Sequence, residues 1–281
     1  MTYSRLLALG ALVTLFCACD LRERSEPYPP DGITPFLLEQ GDAWTYDITV
    51  TQSLLDTSAV DTLGAVTARM EVTDMEGEAG GRSGLAVLDV YRPAAPDTVE
   101  RTWYDQSPDT LVDVAYTRPS VPWAQPLLRT GRPEGVPPAQ LTRGMSGLPV
   151  LVRQRLASAG ARMQGPSDSV HVRDDSRVVL QAPLQEGESW VSFREPFLSR
   201  RFVAGHTTVE SPVGTFEAVE VVTTLPDVSP SLRWADYYTN EGLVRRIVTD
   251  TVEVRGPDGT RQGQAVQRES YDLVSYESGD S

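Results

Sequence analysis

Alternation is the strongest signal along the chain. Trp44, Tyr46, Ile48 and Val50 share one parity, with Thr45, Asp47 and Thr49 on the other. Val66, Ala68, Met70 and Val72 repeat the pattern against Thr67, Arg69, Glu71 and Thr73. A period of two sends successive side chains to opposite faces, so each stretch predicts a strand with one buried and one solvated face. Further strands are expected over 85–92, 99–104, 110–116, 169–173, 177–182, 191–194, 199–210, 215–225, 233–239, 243–255 and 264–277. The acidic, Gly-rich stretch Asp74–Gly84 reads as a hairpin loop, and "DQSPD", "SPVG", "NEG" and "GPDG" read as turns. Strands and helices do not alternate, which argues against a parallel doubly wound sheet. The expected fold is mainly β: a curved antiparallel sheet or incomplete barrel of about 11–13 strands with one short helix. That helix is expected over 148–161, "LPVLVRQRLASAGA", with Val150, Leu151 and Leu156 on one side, Arg153 and Gln154 on the other, and Gly160 at its end. It follows a Pro- and Gly-rich excursion, and the whole of 119–161 is expected to cover the concave side of the sheet.

One phrase occurs twice. "LLEQGDAWTY" covers 37–46 and "PLQEGESWVS" covers 183–192. Both read Leu-x-x-Gly-acid-x-Trp. Gly41 and Gly187 can take the positive φ of a tight turn. The acid after each is expected to stay in water. Trp44 and Trp190 then begin a strand pointing inward, each burying roughly 200 Å². The alternative is a pair of indoles stacking on a sugar or a lipid. Gly214 and Gly242 are expected as further structural anchors, in the "SPVG" and "NEG" turns.

The N-terminus reads as a targeting segment. Arg5 supplies a positive charge, and Leu6–Phe16 is an apolar run too short to span a bilayer as a helix. Phe16-Cys17-Ala18-Cys19 follows and resembles the lipobox of bacterial lipoproteins, with Phe16 where Leu is usual. Cys19 is the expected lipidation site, because small Ala18 precedes it; Cys17 would put bulky Phe16 at the cleavage point. An ordinary signal peptide with an incidental Cys is the alternative. Cleavage would leave residues 1–18 as signal peptide, 19–34 as lipidated Cys and Pro-containing tether, and 35–281 as a single β-rich domain. Acyl chains contribute about 0.8 kcal/mol per buried methylene, so they would hold such a domain on a membrane. Cys17 and Cys19 are the only cysteines, so the mature domain is expected to have no disulfide and no Cys-ligated metal. No other apolar run approaches the length of a transmembrane helix.

The net charge is −14. Such a surface repels phosphate backbones, and nucleic acid is not an expected partner. Every basic residue is Arg, and Asn240 is the only Asn. A GC-rich genome and adaptation to high salt both account for that bias, and neither bears on mechanism.

Candidate chemistry is sparse. His171 and His206 both fall in predicted strands, and "RGMSGLP" around Ser146 is not a nucleophile elbow. "DMEGE" and "RDDS" lack the ligand pattern of a calcium loop. No phosphate loop is present. Hence no catalytic residue, metal or cofactor is expected. Arg200-Arg201 and Arg245-Arg246 each place one guanidinium on either face of a strand. Arg200 and Arg245 are the named candidates for contact with an anionic head group in the concavity.

The order of phrases carries a resemblance. "FLLEQGDAWTYDITV", Leu184–Trp190, "SPVGTFEAVEV" (211–221), Tyr237-Tyr238-x-x-x-Gly242-Leu243-Val244-Arg245 and "YDLVSYE" (271–277) follow one another over most of the mature chain. That series resembles a group of bacterial envelope lipoproteins with no assigned activity or cofactor. By looser analogy the architecture is similar to the half-barrel of periplasmic lipoprotein carriers, which cradle acyl chains. The resemblance implies a non-enzymatic, lipid-anchored protein of the bacterial cell envelope, facing the periplasm or cell surface. Its expected partners are the membrane through its anchor, and an amphiphile in the concavity or another envelope protein. The alternatives are a structural or assembly lipoprotein with a filled core and, further off, a hydrolase.

Overall fold

A computed structural model describes residues 37–55, 59–117, 149, 151–152, 169–194, 197–255 and 260–279. The segments expected as leader and tether, with Cys19, lie outside the described residues, as does most of the expected excursion. Twelve strands follow in chain order: β1 (Ala43–Leu54), β2 (Val60–Ala79), β3 (Arg82–Arg92), β4 (Ala95–Ser107), β5 (Thr110–Thr117), β6 (Val170–Gln181), β7 (Ser189–Phe193), β8 (Ser199–Ser211), β9 (Gly214–Thr224), β10 (Arg233–Thr239), β11 (Gly242–Arg255) and β12 (Arg261–Glu277). They form one sheet in the order β6-β5-β4-β3-β2-β1-β12-β11-β10-β9-β8-β7. Consecutive strands are laddered antiparallel except β6 and β7, and β1 is laddered to β12 from Ala43↔Glu277 to Leu54↔Ala265. The ring is therefore open only between β6 and β7, whose edges lie close together. The result is a nearly closed antiparallel barrel, as the alternation predicts.

Two expectations need correction. Asp74–Gly84 is not a loop: β2 continues to Ala79, and only Gly80 and Gly81 turn. Register shifts between Val72 and Ala79 bend the β2–β3 hairpin. Its end folds over the sheet, where Ala79, Leu85 and Val87 pack with Trp103, Val114 and Ala115. Gly77 permits this: a Cβ there would lie 2.3 Å from the Val87 side chain. Likewise 169–173 and 177–182 are one strand, β6, whose extra residues are absorbed by a register shift opposite Asp113 and Ala115. Of the expected helix, Leu151 and Val152 are described; they are helical and buried in the main core.

The repeated phrase builds the same device twice, opening β1 and β7. Gly41 has φ +92° and Gly187 +89°. Gly41 N–H donates to Val72 O and Val72 N–H to Asp42 O; Gly187 N–H donates to Val203 O and Val203 N–H to Glu188 O. The following register also matches, Ala43↔Glu71 against Ser189↔Phe202. The acids differ. Glu188 is exposed as expected, whereas Asp42 is buried and accepts from the backbone N–H groups of Glu39 and Gly279 at 3.0 Å each. The C-terminal segment has closed over the first copy, and Asp42 is satisfied by backbone donors in place of water.

The two ends of the barrel are unlike. Leu37–Asp42, where the described residues begin, lies at the end with the two-residue turns Pro212-Val213 and Asn240-Glu241. The opposite end carries Leu54, Leu55 and Val60, where β1 gives way to β2.

Candidate functional site

The inward face is built by parity. On β10, Trp234, Asp236 and Tyr238 point the same way, and that way is into the core. Register then sets Arg246 of β11 opposite Asp236, and Tyr271 of β12 opposite Arg246. On the other side Trp234 faces Thr223, Thr223 faces Arg201, and Arg201 faces Trp190. One layer across six strands thus holds two arginines, one aspartate and several large aromatic rings.

Asp236 is fully buried and saturated. Oδ1 accepts from Arg246 Nε at 2.5 Å and Trp234 Nε1 at 2.8 Å. Oδ2 accepts from Arg246 Nη2 at 3.1 Å, from the Tyr238 hydroxyl at 3.2 Å and from Arg201. Burial pushes this carboxyl upward, but Arg246 and Arg201, helped by hydrogen bonds from Arg246 and Trp234, outweigh it and hold Asp236 below the usual carboxylate range. One carboxylate faces two guanidiniums. Aromatic faces meet part of the excess charge: Arg201 lies against Trp190, Trp234 and Tyr238, and Arg246 against Trp234 and Tyr271, at 5.1–6.0 Å to the ring centroids.

A second cluster stands beside the first. Asp113 of β5, wholly buried, accepts from Arg173 at 2.8 and 2.7 Å, and Arg177 Nε approaches it at 3.4 Å. Burial pulls Arg177 down against the attraction of Asp113, with Arg173 and then Arg201 adding to the downward push. Tyr104, buried next to Asp113, is raised to about 12, first by burial and then by that carboxylate. A third carboxylate, Glu269, is buried on β12 and accepts from Leu151 N–H at 2.8 Å, which ties Leu151 to that strand.

Each arginine pair splits between the two faces, as the alternation requires, but the inward members are Arg201 and Arg246. Arg200 is exposed, and Arg245 pairs with Asp272 on the outer face at 2.5 Å. A concave-face head-group role for Arg200 and Arg245 is therefore corrected: neither side chain faces the interior. Sequence reasoning missed Asp236, although its parity with Trp234 and Tyr238 was a usable signal. The anchors behave as structural residues. Trp44 Nε1 donates to Glu241 O at 2.7 Å, and a Cβ on Gly242 (φ +115°) would fall 2.9 Å from that nitrogen. Trp190 Nε1 donates to Val178 O at 3.2 Å. Gly187 and Gly214 have φ +89° and +145° with open space at the Cβ position, so backbone conformation alone favours glycine there.

Ser169 and His171 are in contact, Oγ to Nε2 at 2.9 Å, and His171 packs on Tyr116. The carboxylate on the adjacent strand, Asp113, is engaged by Arg173 and Arg177 rather than completing a triad. Among the described residues no group of three or more His, Cys, Asp or Glu side chains is arranged to hold a metal.

No family model and no curated protein matches the sequence. Two solved structures align over most of the chain. One, from Bacteroides fragilis, is described as an exported protein with a YmcC-like fold; it is 11% identical, covers 87% of this chain and 99% of its own, and gives a TM-score of 0.36. The other, from Parabacteroides distasonis, is described as a lipoprotein; it is 10% identical, covers 88% of this chain and 100% of its own, and gives a TM-score of 0.30. Similarity at that level is no basis for function, which has to be argued from this chain's own residues.

Proposed function

We propose that this chain is a lipid-anchored protein of the bacterial cell envelope that acts, without catalysis, by binding an envelope protein partner at the barrel end far from its tether. The apolar run Leu6–Phe16 followed by Cys19 supports the anchor. The distribution of exposed large hydrophobic side chains carries the partner reading. Leu54, Leu55, Val60 and Phe202 lie toward the tether-distal end, while Leu37 and Val213 lie at the near end. Exposed apolar side chains gathered at one end of a strongly acidic domain mark a docking region better than scattered ones do.

An amphiphile inside the barrel is the less favoured reading. Tyr46, Ile48, Tyr271, Trp234, Tyr238, Leu151 and Val152 form one buried cluster across the concave face. An acyl chain would have to compete with these bulky side chains for that space.

Both parts are open to one set of measurements. The mature domain, secreted without its acylated Cys and purified free of detergent, is expected to show a clean native mass and no palmitate adduct. Photo-crosslinkers placed at Leu55 and Val60 in the full-length protein in cells are expected to trap the same discrete protein, which a crosslinker at Val213 does not. A near-stoichiometric co-purifying amphiphile would replace this reading with a carrier. Identical trapping from all three positions would remove the distal end as the docking region.

A further inference from the structure

The closure between β6 and β7 differs from every other junction in the barrel. The β1–β12 junction, where the chain's two ends meet, is held by a continuous ladder. β6 and β7 are consecutive strands, yet they form the two edges of the sheet. β7 has 5 residues against 12 in β6, so it spans less than half of its neighbour. What crosses between them is side chains. The Ser192 hydroxyl donates to Val178 O at 2.8 Å, and Trp190 Nε1 donates to the same oxygen at 3.2 Å. Arg201 reaches from β8 to donate to Val179 O while its other nitrogens hold Asp236 and Thr223. Higher up, Arg194 N–H donates to the Asp175 carboxylate at 3.1 Å. These donors take the place of the strand N–H groups that would satisfy β6 carbonyls in a ladder.

We propose that the β6–β7 seam is a lateral opening of the barrel, latched by Ser192 and Arg201, which parts as a unit without unfolding the remaining ladders. The physical reason is cooperativity. A ladder is lost as a row, whereas a few bonds through rotatable side chains are released by rotamer changes that leave both strands held by β5 and β8. Opening free energies within one protein range from near zero up to the global value, and the least cooperative junction lies at the low end. Parting exposes the inward side chains of β7 and β8 from the side and leaves the β1–β12 closure intact.

The mature chain has no cysteine of its own once Cys17 and Cys19 are replaced, so a single thiol reports on opening. Ser199 suits this: it is buried on β8 opposite Phe193 of β7, and its hydroxyl has no hydrogen-bond partner, so Ser199→Cys leaves the latch untouched. Ala68→Cys, buried on β2 opposite Tyr46 of β1, is the control. Thiol labelling in native buffer is expected to be about 10- to 100-fold faster in Ser199→Cys, and to depend only weakly on urea, as a local opening does. Adding Ser192→Ala is expected to raise the Ser199→Cys rate about 3- to 10-fold, the loss of one hydrogen bond, while the Ala68→Cys rate stays within about twofold. Equal labelling rates with equally steep urea dependence at both positions would overturn the proposal, because only global unfolding would then reach the interior. An equal acceleration of both thiols by Ser192→Ala would overturn it too.

Discussion

Asp236→Asn is expected to lower the unfolding free energy by about 3–5 kcal/mol, the cost of leaving buried charges without their counter-charge. Arg201 and Arg246 both end on this carboxylate in a site closed to water. The amide keeps the shape and removes the charge, so two guanidiniums are left facing each other with only ring faces and carbonyls beside them. Urea unfolding midpoints measure the loss. A triple replacement, Asp236→Leu with Arg201→Met and Arg246→Met, is expected to cost far less than the single change, because no charge is then stranded. If the single variant melts like the parent, the ion pairs contribute nothing and the layer is held by its aromatic rings alone. The sign of the pH effect follows from the lowered carboxyl. A depressed folded-state value stabilises above the unfolded value of about 3.9 and stops doing so as pH falls through the lower folded value. Acidification below about pH 4 should therefore destabilise the parent more steeply than Asp236→Asn.

Trp44→Ala and Trp190→Ala are each expected to cost about 3–5 kcal/mol, through lost burial and the cavity left behind. The two should differ in character. Trp44 stacks on Tyr276 at 5.7 Å, is buried, and ties β1 to the β10–β11 turn through Glu241 O. Its loss opens space beside Gly242, where a glycine offers no atoms to refill it. Trp190 stands at the seam, so its loss should also speed labelling of Ser199→Cys, which Trp44→Ala should not do selectively. Melts showing less than about 1 kcal/mol for both would mean the indoles are not anchors, and would return attention to ligand stacking.

The period-two pattern made most of the fold legible. Trp44, Tyr46, Ile48 and Val50 all point inward as their parity requires, and the repeated Gly-acid-x-Trp opens β1 and β7 with the same hydrogen bonds. Reading failed where local composition and tertiary packing disagree. Asp74–Ala79 looks like a loop because acids and glycines are poor strand formers. It is a strand because Trp103 gives its small residues a surface to cover. The choice between Arg200 and Arg201 was illegible for another reason. Phe202 and Val203 are both apolar, so parity along β8 is ambiguous until β9 fixes the register through Thr223.

The candidate site was less legible than the fold. Asp236 sits between two aromatic residues of its own parity, and that alone marks it as a buried acid. Its partners come from β8 and β11, 35 and 10 residues away in sequence. No local pattern pairs charges over that separation, and a solvated acid is the commoner outcome. Asp42 and Glu188 make the same point: equal phrases, opposite exposure, because only the first meets the chain's C-terminal end.

By itself, then, the sequence determined the antiparallel, mostly β character of this protein, the positions of its tight turns, and the two glycine-to-tryptophan starts of its halves. Those are short-range matters of side-chain period and permitted φ. Only the tertiary structure decided which edges meet, which guanidiniums turn inward, and that the ring closes by ladder between β1 and β12 but by side chains between β6 and β7. Alternation reads the same in a laddered and an unladdered strand. The difference lies in the curvature of all twelve strands together, which sets how far apart the last two edges come to rest.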